Sequence, residues 1–177
     1  PEVMREAVLA GADMINDING FRAPGAIDAV VDSDCGLCVM HMQRDPGTMQ
    51  QNPEYADVVA EVTAFLRGRV DEMVEAGIYR ARVCGEPGFV SVKTRAHNDA
   101  LLRNIGKMQD ELGLPVLAGL SRKSMIGAVT GKPLEQRLAG SLAGALAAVA
   151  HGARIVRVHD VAETADAFKV WQAAAIH

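Results

Sequence analysis

The sequence predicts an α/β protein built on a parallel sheet, and three observations carry that prediction. Short apolar runs alternate with longer helical patterns along the whole chain, the order of βα units rather than of hairpins. Strand candidates begin at roughly 35-residue intervals, near the size of a βαβ repeat. Gly11, Gly77, Gly113 and Gly152 each stand between a helical stretch and an apolar run, where a left-handed cap turns the chain into the next strand.

Taken in order, residues 2–10 form an amphipathic helix with acidic residues and no long apolar core, unlike a secretory signal. A strand at 13–18 and a helix at 25–31 follow, then a strand at 37–42. Residues 54–76 predict the longest helix, with Val58, Val62, Phe65, Leu66, Val70, Met73 and Val74 as a core stripe at i, i+3, i+4 spacing. The remaining expected elements are strands at 80–84, 115–120 and 154–159 and helices at 96–112, 134–151 and 161–174. The most apolar stretch, 138–150, falls short of the roughly 18 residues of a membrane span. Two long irregular stretches, 43–53 and 86–95, each follow a strand. In a parallel α/β protein that end of the sheet builds the site.

The 177 residues, 49% hydrophobic and 23% charged, predict one domain over 1–177. Net charge is −4 with the basic residues scattered, so neither nucleic acid nor a membrane surface is an expected partner. A cytoplasmic location is expected. The opening residue is not Met and the chain begins in mid-helix, so an upstream segment is expected as well. Three cysteines do not make a disulfide scaffold. Cys35 and Cys38 have the spacing of a redox pair or half a zinc site; with no second such pair, and Cys38 opening an apolar run, they read as buried strand cysteines.

Chemistry concentrates at the strand ends. Residues two apart on a strand share a face, so Arg157 and His159 project together. A guanidinium and an imidazole side by side make an anion site, although a salt-bridged strand end has the same composition. Ser121, Arg122, Lys123 and Ser124 form a second cationic strand end. Asn16, Asp17, His41 and Glu86 occupy matching positions on other strands, where paired donors and acceptors suit a flat heterocycle. Individually, Asp17 also fits a turn cap and His41 a core histidine.

The segments INDINGF, VMHMQRDPGTMQ, EPGF followed by Lys93, HNDALL, GLSRKSMIG and IVRVHDVAET closely resemble the ordered motifs of the dihydropteroate synthases, a pterin-binding enzyme family. The resemblance implies a TIM (β/α)8 barrel whose fourth to eighth strands are the five found here. It implies a transferase that condenses a 6-hydroxymethyl-7,8-dihydropterin pyrophosphate with p-aminobenzoate. Lys123, Arg157 and His159 are then the catalytic set, with Arg157 and His159 holding the pyrophosphate and Lys123 touching both substrates. Asn16 and Glu86 face the pterin, Ser121 and Arg122 flank the p-aminobenzoate and sulfonamide pocket, and Met42 joins the substrate-binding residues. Magnesium is implied as cofactor, its ligand in the N-terminal part that precedes this chain. The partners implied are the two small molecules and a second copy in a homodimer, and the 177 residues alone are expected to be inactive. Two departures stand out: Glu86 occupies a position where Asp is usual, and Val90-Ser91-Val92 stands where Gly-Phe-Gly is expected. A methyl-transferring relative and a non-catalytic paralogue are the alternatives.

Overall fold

In a computed structural model of the chain, residues 1–42, 55–89 and 93–174 are described. The expected parallel α/β arrangement is present. Its elements run α1 (Glu2–Leu9), β1 (Met14–Asp17), β2 (Gly36–Met40), α2 (Val58–Glu75), β3 (Val83–Glu86), α3 (Arg95–Arg103), α4 (Ile105–Leu112), β4 (Leu117–Ala118), α5 (Ser124–Thr130), α6 (Leu138–Ala150), β5 (Ile155–Val156) and α7 (Val161–Ala174). β1, β2 and β3 pair in parallel, with Asn16 beside Cys38 and Cys38 beside Cys84. β4 and β5 also pair in parallel. A bridge between Gly85 and Val116 links β3 to β4, so the strands lie side by side in chain order.

Local chemistry explains the boundaries. Asp57 caps α2 by accepting from the amides of Val59 and Ala60, both at 3.0 Å, while Glu61 reaches back to the amides of Ala56 at 2.8 Å and Asp57 at 3.1 Å. These reciprocal bonds satisfy donors that have no partner within the helix. Gly11, Gly77, Gly113 and Gly152 all have positive φ, at 89°, 101°, 62° and 110°, as the segmentation requires. In the α2 stripe Val58, Val62, Leu66, Val70 and Met73 are buried, but Val74 points outward at 40% exposure.

Other boundaries differ from expectation. Residues 25–31 form a series of turns mixing three- and four-residue hydrogen bonds, because Pro24-Gly25 precedes a run too short to propagate a helix. The strand expected at 80–84 opens instead with a 3-10 turn, Arg80–Arg82, and runs on to Glu86. Arg82 is drawn back by the carbonyls of Val30, Val31 and Cys35 at 2.9, 3.1 and 3.0 Å. The helix expected at 96–112 breaks at Asn104, whose side chain donates to the Ala100 carbonyl at 2.8 Å. α5 has no counterpart among the expected elements, and Leu134–Gln136 is a 3-10 turn ahead of α6. The stretch 43–53 and Val90-Ser91-Val92 lie outside the described residues.

The alternation of side chains gives the sheet two unlike faces. Ile15, Leu37, Val39, Val83, Val116 and Ala118 join the main core with helix residues such as Val62, Leu66 and Met108. The opposite face carries a small apolar cluster of Cys38, Cys84 and Leu117 with Ile155 against it. Cys35 belongs to the main core and Cys38 to this second cluster, so the pair points to opposite sides and stays as free thiols. Among the described residues no helix is long and apolar enough to cross a membrane.

Candidate active site

Parallel strands deliver their C-terminal ends to one side, and the polar residues of the second face collect there. Glu86, at the end of β3, is fully buried, yet it accepts two hydrogen bonds from the Arg157 guanidinium, Nη1 to Oε2 at 2.5 Å and Nη2 to Oε1 at 2.8 Å. This planar, two-pronged geometry is the strong form of the carboxylate–guanidinium contact. The Glu86 hydrogen bonds hold the Arg157 pKa above its usual range, with partial burial working the other way. Gly119 makes room for the pair: a Cβ there would lie 2.8 Å from Arg157 Nη2 and 3.3 Å from Glu86 Oε1. Glu86 is thus engaged by Arg157 across the face rather than standing free.

Lys123 is half-buried beside this pair. Burial lowers its pKa; Glu86 opposes that and Arg157 adds to it. The turn that presents it is firmly built. Arg122 adopts φ 58°, its amide donates to Ser141 Oγ at 2.9 Å, and Arg137 Nη1 donates to the Arg122 carbonyl at 3.0 Å. The Arg122 side chain pairs with Asp160, Nε to Oδ2 at 3.1 Å and Nη2 to Oδ1, so its charge is already engaged at the rim. The Asp160 carboxyl lies below its usual pKa because Arg122 donates to it.

Ser121 is buried, and its hydroxyl sits 3.2 Å from the His159 amide and 3.0 Å from His159 Nδ1. The hydroxyl accepts from the amide, and it exchanges a hydrogen bond with Nδ1 whose direction follows the ring tautomer. Nε2 is the ring nitrogen not engaged by Ser121, on an exposed side chain. Asn16 is exposed on the same face, level with Cys38, and Met42 is buried two residues beyond Met40. Cys38 and Cys84 lie side by side one step deeper. Cys84, with burial, raises the Cys38 pKa, and Cys38 lowers that of Cys84.

Two candidates face the other way. Asp17 accepts from the amides of Phe21 at 2.7 Å and Asn19 at 3.2 Å, which makes it a turn cap. His41 packs edge-on to Phe65 at 4.9 Å between centroids. Burial, then the charges of Lys93 and Arg22, drive its pKa down to about 3. Lys93, which the sequence supplied only as part of a motif, is 4% exposed, with its ammonium against Gly88 O, Pro87 O and His41 Nδ1 at 2.7, 3.1 and 3.2 Å. The available signal was the lysine that follows EPGF in the motif. No group of three or more His, Cys, Asp and Glu side chains converges among the described residues. With Glu86 and Asp160 each paired to an arginine, these residues do not fit a magnesium site.

The model of the family described as "Pterin binding enzyme" matches residues 1–159. Dihydropteroate synthase of Haemophilus influenzae is 52% identical over 173 residues, covering 98% of this chain and 62% of the relative. Burkholderia cenocepacia dihydropteroate synthase, solved in complex with 7,8-dihydropteroate, is 53% identical with a TM-score of 0.91, covering 98% of this chain and 64% of that one. The Xanthomonas albilineans enzyme with 4-aminobenzoic acid is 50% identical with a TM-score of 0.91, covering 99% and 63%. The chain thus spans about 62% of the length of a curated relative that it matches. A family match running through every strand, from β1 to the residues just past β5, together with 52% identity, shows that the chain belongs to the pterin-binding enzyme family.

Proposed function

We propose that this chain carries most of the substrate site of a dihydropteroate synthase. The reaction breaks the bond from the pterin methylene to pyrophosphate and forms one from that carbon to the p-aminobenzoate nitrogen, which then loses a proton. The observation that carries this reading is the meeting of Glu86, Arg157 and Lys123 on one sheet end, the carboxylate and guanidinium joined at 2.5 and 2.8 Å, in a chain 52% identical to a dihydropteroate synthase.

Charge builds on the leaving pyrophosphate as its bond breaks, and fixed hydrogen-bond donors favour that state over the ground state. Arg157 and the His159 imidazole serve that role. Glu86 holds Arg157 in the ligand-free site and accepts from the amino edge of the pterin once that guanidinium shifts toward the pyrophosphate, and Asn16 and Lys123 orient the ring system. Lys123 also touches p-aminobenzoate, with Ser121 and Arg122 lining its side, and Met42 is a further substrate-binding residue. The five strands are the fourth to eighth of a (β/α)8 barrel forming one domain over 1–177, consistent with coverage of 62% of a relative. Magnesium, where the reaction uses it, is held outside the residues described here, and no step above passes through it. The working protein is a cytoplasmic homodimer.

The test is product formation by the full-length protein from pterin pyrophosphate and p-aminobenzoate. Dihydropteroate and pyrophosphate released in equal amounts is the expected result. Methyl transfer from a reduced folate to a corrinoid protein, or tight binding of both substrates with no turnover, would overturn it.

A further inference from the structure

We propose that Lys93 is a positioning residue that locks the segments following β2 and β3 together and thereby sets where Glu86 meets its ligand; this rests on the function proposed above. The Lys93 ammonium bonds Gly88 O at 2.7 Å and Pro87 O at 3.1 Å, directly after Glu86, and His41 Nδ1 at 3.2 Å, directly after β2. Two further contacts close the same seam. His41 N donates to Glu86 O at 2.9 Å, and Gly88, at φ 72°, packs so tightly that a Cβ would come within 2.3 Å of His41 O.

A buried ammonium is an expensive cross-brace, since an apolar side chain fills the same volume without desolvating a charge. Here the burial is 96% complete, with Lys93 only 4% exposed, and the pKa falls to about 8. Burial is the main cause; the charge of Lys123 adds to it and that of Glu86 opposes it. Costly burial next to a site carboxylate is the pattern of groups kept for function. Lys93 makes no hydrogen bond to the Glu86 carboxylate, and it acts through the Pro87-Gly88 backbone and His41. The Glu86 carboxylate meets Arg157 at 2.5 and 2.8 Å, so a shift of its backbone changes both the anion side and the pterin side.

Two measurements on the full-length protein test the proposal. In the ligand-free protein, Lys93→Met speeds hydrogen exchange of the His41 amide about tenfold or more, while the Gly85 amide, bonded to Pro115 O at 3.0 Å, is unchanged. With 6-hydroxymethylpterin as the probe, Lys93→Met weakens binding about tenfold, but has no further effect in a Glu86→Gln background. A merely structural lysine would weaken binding equally in both backgrounds, which overturns the proposal, as does unaltered His41 exchange. If the unmutated protein fails to bind the pterin, the proposed function falls and the exchange measurement alone decides the locking role.

Discussion

At the residue scale, the Glu86–Arg157 pair decides what substitutions do. Arg157→Ala would leave a fully buried carboxylate without its partner, and uncompensated buried charges of this kind cost about 3–5 kcal/mol. Arg157 is itself 42% exposed, so solvent reaches the pair and a loss nearer 1–3 kcal/mol is expected, measurable by urea denaturation. Affinity for inorganic pyrophosphate should fall with it; unchanged affinity would contradict an anion site at this strand end. Lys123→Ala should reduce kcat/KM on the order of 100-fold through lost transition-state contacts, and near-normal turnover in a folded variant would remove Lys123 from the catalytic set. His41 adds a pH dependence with a definite sign. Its folded pKa of about 3 lies below the ordinary value of 6.5, so the unfolded chain takes up the proton first as pH falls. Its contribution to stability is therefore intact above about pH 6.5 and is lost progressively toward pH 3. His41→Asn keeps an acceptor near Nδ1 without the titration, and its denaturation midpoint should vary less over that window. An identical acid profile would show that other groups govern the loss.

At the element scale, the close approach of the segments after β2 and β3 is the most sensitive feature. Gly88→Ala places a methyl 2.3 Å from the His41 carbonyl at a φ of 72°, combining a backbone clash with a conformation L-residues resist. A loss of about 2–4 kcal/mol in unfolding free energy is expected, and a loss under half a kcal/mol would mean that the seam yields easily. This seam also marks the limit of what the sequence disclosed. Glu86 was legible only as a polar residue at a matching strand end, whereas strand alternation put Arg157 and His159 on a common side, because that pattern is local and periodic. It gave no means of telling Asp17 from Asn16 or His41 from Met42, since adjacent residues differ only in which face the sheet turns to its helices. Lys93 had no legible role because the partner that makes it a cross-brace is brought in by folding: His41 is 52 positions away. The 3-10 turn before β3 was hidden for the same reason, the carbonyls that hold Arg82 lying 47 to 52 positions earlier. The four glycine caps, by contrast, were readable because the demand for positive φ is met within one residue.

At the scale of the whole molecule, the ends of the sheet govern behaviour. Among the described residues β1 pairs only with β2 and β5 only with β4, so each presents an edge. Met14 and Ile18 are 41% and 42% exposed along the first of these edges. The flanking helices are thinly covered as well: α1 has no buried residue, α7 buries only Thr164, and Val161, Val170 and Trp171 of α7 remain open. Unpaired parallel edges beside apolar helix faces invite strand addition and association. We therefore predict that the 177-residue segment expressed alone self-associates and forms no dihydropteroate. In sedimentation velocity it should run as concentration-dependent oligomers, and Lys substitutions at Met14 and Ile18 should shift it toward monomer by charging the edge. A stable monomer that turns over pterin pyrophosphate and p-aminobenzoate would show that these five strands suffice, and would rule out the eight-stranded barrel as a requirement for catalysis.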